Sequence, residues 1–119
     1  MMGPAGEPDP FLTALDRLEE VLHENSRRTE QMLERIEEIR RHRAQDRPYA
    51  EIVPVERRPL ILQLLTESAT ALDSTGVVVR RMEAQALYDE GMTMDAIAKL
   101  FGVTRQRVGA LLRGRNDNS

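Results

Sequence analysis

The chain has 119 residues, of which 31% are charged and 3% aromatic, with a formal net charge of −3 and no cysteine. This length suits one small domain with an extension, and the lack of cysteine excludes a disulfide framework and thiolate metal ligation. No apolar run approaches the roughly 20 residues of a membrane-spanning helix, and the opening residues lack a basic-then-apolar leader, so a cytoplasmic protein with no membrane partner is expected.

Residues 1–10 hold three prolines and two glycines and read as a disordered lead-in. From Phe11 to Arg43 the pattern becomes one long amphipathic helix. Phe11, Leu15, Leu18, Leu22, Asn25, Thr29, Met32, Ile36 and Ile39 recur at alternating spacings of four and three, the seam of a coiled coil. Leu15, Leu18, Leu22, Met32, Ile36 and Ile39 are the candidate dimerisation residues, and a homodimer is expected. The alternative is one amphipathic helix packed on its own domain. Asn25 and Thr29 interrupt the seam, Arg35 would meet Arg40 of a parallel partner, and Val21 and Leu33 widen the apolar stripe as in a bundle. A protein partner bound through residues 11–43 is therefore also open.

Residues 44–58, with Pro48 and Pro54, read as a linker. A helical domain is predicted over 59–113. Pro59 suits a first helical turn, Leu60 to Leu72 carry an apolar face, and Asp73-Ser74-Thr75-Gly76 reads as a turn. A second helix over Val77–Glu90 ends at Gly91. Residues 114–119 should fray.

The richest segment is Gly91 to Arg113, read as a helix-turn-helix over about 93–113. Ile97, Phe101, Val103, Val108 and Leu111 are spaced so that two short helices share one core. Ala98 is small where the helices cross, Gly102 stands at the corner where φ > 0 is needed, and Thr93 and Thr104 are placed as N-caps. Residues 99–115 contain five basic groups and no acid, so the acidic total does not oppose a local phosphate footprint. In a major groove, Arg105 and Gln106 would meet base edges, since Arg bridges guanine O6 and N7 and Gln bridges adenine N6 and N7. Lys99, Thr104, Arg107, Arg113 and Arg115 would hold phosphates. Gly109 and Ala110, without side-chain reach, would let the helix approach the groove. The alternative is a solvated basic surface on a small helical domain, against which the caps, the corner glycine and the core spacing arriving together with the charge favour DNA contact.

Other chemistry has little to rest on. His23 and His42 have no second histidine one turn away, so no metal is expected. Glu19-Glu20 and Glu37-Glu38 are adjacent pairs pointing different ways, and Arg40-Arg41-His42-Arg43 is a basic helix end. No phosphate loop or nucleophile elbow occurs, so neither an enzyme nor a cofactor is expected.

The stretch Ala96-Ile-Ala-Lys-Leu-Phe-Gly-Val-Thr-Arg-Gln-Arg-Val108 resembles the helix-turn-helix in the fourth region of bacterial sigma factors. It is also similar to the DNA-binding tail of serine recombinases, and from about Pro48 the chain resembles small actinobacterial helix-turn-helix proteins. The resemblance implies that Thr104, Arg105, Gln106 and Arg107 begin a recognition helix. The chain lacks the polymerase-binding regions of the first family and the catalytic domain of the second. The expected protein is all-α: a long N-terminal coiled-coil helix, then a small helical domain ending in the helix-turn-helix. Its expected role is a sequence-specific regulator on double-stranded DNA in the nucleoid. The rivals are a transcription-machinery adaptor using the long helix and a nucleoid protein with little sequence preference.

Overall fold

The computed structural model describes residues 9–114. Among these every regular element is helical: α1 (Pro10–Ala44), α2 (Tyr49–Ile52), a 3-10 turn (Val53–Val55), α3 (Ile61–Asp89), α4 (Met94–Phe101) and α5 (Arg105–Leu112). The all-helical class, the long first helix and the terminal helix pair agree with the sequence reading. Two compact units form, one from residues up to Glu19 together with those from Ser74 onward, the other from Glu20 to Asp73.

Local chemistry moves several boundaries. The long helix starts earlier than Phe11, because Asp9 Oδ1 accepts from the amides of Phe11 and Leu12 at 3.1 Å each and Pro10 takes the first helical position. The lead-in expected over residues 1–10 otherwise lies outside the described residues, as does the tail beyond Gly114. The 44–58 linker contains the single turn α2, whose Ile52 is buried. Pro59 precedes α3 rather than opening it; there Gln63 Oε1 accepts from the Leu60 amide at 2.8 Å, half of a capping box.

The largest correction concerns 73–76. No turn forms, and α3 runs unbroken from Ile61 to Asp89. A lone glycine costs a helix only about 1 kcal/mol. Gly76 is covered by the Arg80 guanidinium, 3.3 Å from where a β-carbon would stand, and Thr75 is buried. The expected four-helix domain is thus the second half of one long helix followed by α4 and α5.

Within the unit Glu20–Asp73, α1 and α3 form an antiparallel hairpin. Asn25 Nδ2 donates to the Ser68 carbonyl at 3.4 Å, Arg28 Nε to Ser68 Oγ at 3.1 Å, and Arg28 Nη2 to Asn25 Oδ1 at 2.7 Å. Arg35 is buried and gives its guanidinium to the carbonyls of Arg57, Arg58 and Pro59 at 3.3–3.4 Å. Arg57 closes the same end on Glu38, with Nε 3.0 Å from Oε1. The hydrogen bond from Arg57 holds the Glu38 carboxyl below its ordinary range.

The face of α1 turned inward therefore follows Val21, Asn25, Arg28, Met32, Arg35 and Ile39. This seam shares Asn25, Met32 and Ile39 with the one read from sequence. Leu22 and Thr29 are exposed, however, while Ile36 is half-buried like Met32 and Ile39. The polar residues that interrupt a coiled coil decide the register. Asn25 and Arg35 need acceptors when buried, and Ser68 and residues 57–59 of the same chain supply them.

Candidate nucleic-acid interface

The end of α3 is punctuated by Gly91, with φ of 103°. The Met92 amide reaches back to the Leu87 carbonyl at 3.0 Å, a Schellman closure, and both side chains pack on the core that follows. That core is Ala84 of α3, Ile97 and Ala98 of α4, and Val108 and Leu111 of α5, flanked by Met94, Phe101 and Leu112. Five small-to-medium aliphatic groups fix the angle between α4 and α5, since packed interiors leave little room for adjustment.

The corner between these helices repeats the same device. Gly102 has φ of 70°, and the Val103 amide donates to the Ala98 carbonyl at 3.0 Å. Thr93 Oγ1 accepts from the Ala96 amide at 3.1 Å and Thr104 Oγ1 from the Arg107 amide at 3.0 Å. Both predicted caps, the corner glycine and the small crossing residue Ala98 are thus in place.

Around this corner Lys99, Thr104, Arg105, Gln106 and Arg113 are exposed, and Arg107 is half-buried. The fold brings Thr104, Arg105, Gln106 and Arg107 together on the first turn of α5. Lys99 lies on α4, Arg113 follows the last turn of α5, and Arg115 is outside the described residues. The first turn of α5 contains no acidic residue. It sets arginines at the positive end of a helix dipole, which costs stability unless an anion compensates.

Two expectations change. Val103, counted in the shared core, lies outside it and is 39% exposed. Gly109 is buried and faces inward: a β-carbon there would come within 3.3 Å of Met94 Cε. Its small size leaves room for Met94 of α4 and for the Arg113 guanidinium, 3.2 Å from the same point.

One residue was missed. Asp95 Oδ2 lies 3.5 Å from Arg105 Nη1, with both side chains well exposed. Sequence carried the signal, because Asp95 is the only acid between Gly91 and Gly114. Its distance of ten positions from Arg105 hid the pairing until the corner was built. The carboxylate neutralises part of the basic face and holds one guanidinium.

Residues 75–115 match the family described as a Homeodomain-like domain. The match takes in the second half of α3 with α4 and α5, the segment that builds the core and corner above. No curated protein and no solved structure gives a significant match to the chain. The match and the Gly102 corner together support a helix-turn-helix in the C-terminal third of this chain.

Proposed function

We propose that the protein is a sequence-specific transcriptional regulator that reads double-stranded DNA with α5 in the major groove. The observation that carries this reading is the first turn of α5. It is fixed by the Gly102 corner and the Thr104 cap, and it exposes Arg105 and Gln106 with no acid on the same helix. In this role Arg105 and Gln106 contact base edges. Lys99, Thr104, Arg107, Arg113 and Arg115 contact phosphates, which sets affinity and its salt dependence. The likeness of Ala96–Val108 to the sigma-factor reader points the same way.

One helix of eight residues covers few base pairs, so the regulator acts as two copies whose recognition helices take two half-sites. Occlusion of a promoter is the simplest mode of regulation for such a reader. The test is selection from a randomised duplex pool, run for the wild type beside an Arg105→Ala/Gln106→Ala double variant. Enrichment of a defined motif that the variant loses supports the proposal. A wild type that enriches nothing refutes it.

A further inference from the structure

The hairpin of the Glu20–Asp73 unit has two unlike faces, and their difference follows from one step of the helix. The inward positions are 21, 25, 28, 32, 35 and 39 on α1 and 61, 64, 68 and 71 on α3, as the contacts of Asn25, Arg28 and Arg35 and the burial of Val21 and Leu64 require. A step of one residue turns a side chain by about 100°. Because the two helices run in opposite directions, the next residue on each comes out on the same side of the hairpin. The preceding residue on each comes out on the other side.

The preceding positions on α1 are Glu20, Glu24, Arg27, Gln31, Glu34 and Glu38, and beside α3 they are Leu60, Gln63, Glu67 and Thr70. That face is polar apart from Leu60 at its end. The following positions on α1 are Leu22, Ser26, Thr29, Leu33, Ile36 and Arg40, and on α3 they are Leu62, Leu65, Ala69 and Leu72. Of these ten only Arg40, at the end of the stripe and paired with Glu37, is charged, in a chain that is 31% charged. Their five leucines are between 42% and 72% exposed.

We propose that this second stripe is the docking surface for a second copy of the chain, so that two hairpins close into a four-helix bundle. The leucines alone leave on the order of 500 Å² open per copy, and with Ile36, Thr29, Ser26 and Ala69 the face nears the roughly 800 Å² per partner of a stable pair. A solitary chain has little reason to keep so large an uncharged patch on one side. The stripe matches itself. Leu22 and Leu72 stand toward one end, Leu33 and Leu62 toward the other, and Leu65 beside Thr29 between them, at spacings of four and three that interdigitate with the same spacings in a two-fold mate. Between Leu22 and Ile36 it offers no charge with which an unlike partner would be oriented. This deepens the two-copy part of the proposed function and is independent of whether α5 reads DNA.

The experiment is sedimentation equilibrium of the full chain without DNA, from about 1 to 100 μM, a range that brackets micromolar self-association. The variants are Leu65→Glu, Leu33→Glu and, as a control off the stripe, Leu100→Glu. The wild type and the control are expected at twice 13.6 kDa, and both stripe variants at the single-chain mass. Far-UV circular dichroism and the cooperativity of urea unfolding establish that each variant remains folded. Should either stripe variant unfold, the milder Leu65→Ser and Leu33→Ser replace them with the same expectation. A wild type that stays at the single-chain mass up to 100 μM overturns the proposal, whatever other protein the stripe then binds. Folded stripe variants that remain dimeric overturn it equally. Dimers that enrich no DNA motif would leave this inference standing and remove the DNA-reading one.

Discussion

Replacing Asp95 by asparagine keeps the shape of the first turn of α4 and removes the carboxylate that faces Arg105 at 3.5 Å. At that separation in a high-dielectric surface the attraction is about 1 kcal/mol, and exposed pairs measured in other proteins fall at about 0.2–1 kcal/mol. If Arg105 must leave Asp95 to reach DNA, that energy is lost on binding. Asp95→Asn is then expected to tighten duplex binding by about one-and-a-half- to fivefold, at about 1.4 kcal/mol per tenfold. Removing a negative charge from the DNA-facing side adds to the gain, and the whole gain shrinks as salt screens both terms. The assay is fluorescence anisotropy with a mixed-sequence duplex at low and moderate ionic strength. A double-mutant cycle with Arg105→Ala isolates the pair: in that background Asp95→Asn should gain at most half as much. Equal gains in both backgrounds would refute the view that Asp95 acts through Arg105. A loss of affinity would refute the placement of this face against DNA.

Thr104→Ala removes the acceptor for the Arg107 amide and should cost about 1 kcal/mol, seen as a lower urea midpoint with an unchanged slope; an unmoved midpoint would show that the cap contributes nothing. Ile97→Ala empties the centre of the α3–α4–α5 core, where Ile97 is 0% exposed. A cost of about 2–5 kcal/mol is expected, with loss of DNA binding in step with unfolding; calorimetry and anisotropy on one sample check both. Glu38→Gln tests the closing pair of the hairpin. Because the Glu38 carboxyl is held below its ordinary range by Arg57, its contribution exists above that range, about pH 4, and disappears as pH falls through the lowered value. The melting temperature of the wild type should therefore exceed that of the variant at neutral pH and converge with it as pH falls through that lowered value, and a gap that persists in acid would contradict the pairing.

Much of the C-terminal fold is legible in the sequence because short-range chemistry determines it. Gly91 and Gly102 stand where only a left-handed residue closes the turn, and Thr93 and Thr104 stand one residue before the helices they cap. Such signals act over three to five positions, and here the packing of α3, α4 and α5 agrees with them. The hairpin is harder to read. The apolar stripe of α1 is wide enough to hold two seams, and hydrophobic spacing alone does not choose between them. The choice rests on Asn25 and Arg35, whose acceptors lie on Ser68 and on residues 57–59, more than 20 positions away. Asp73-Ser74-Thr75-Gly76 misled for the converse reason. Its residues favour a turn locally, but packing of α3 outweighs a propensity deficit of about 1 kcal/mol. Asp95 and Gly109 share the difficulty of Asn25: their neighbours, Arg105 and Met94, belong to another element of the chain.

The central claim is that α5 enters the major groove with its first turn foremost. Amide hydrogen exchange of the full chain, with and without a saturating duplex, tests it most directly. The opening amides of a helix have no intrahelical acceptor, so those of Arg105 and Gln106 should exchange rapidly in the free protein. DNA is expected to slow exchange over residues 99–113, most strongly at the start of α5, and to leave residues 20–73 unchanged. Protection centred on α1, or none over residues 104–107, would contradict the account.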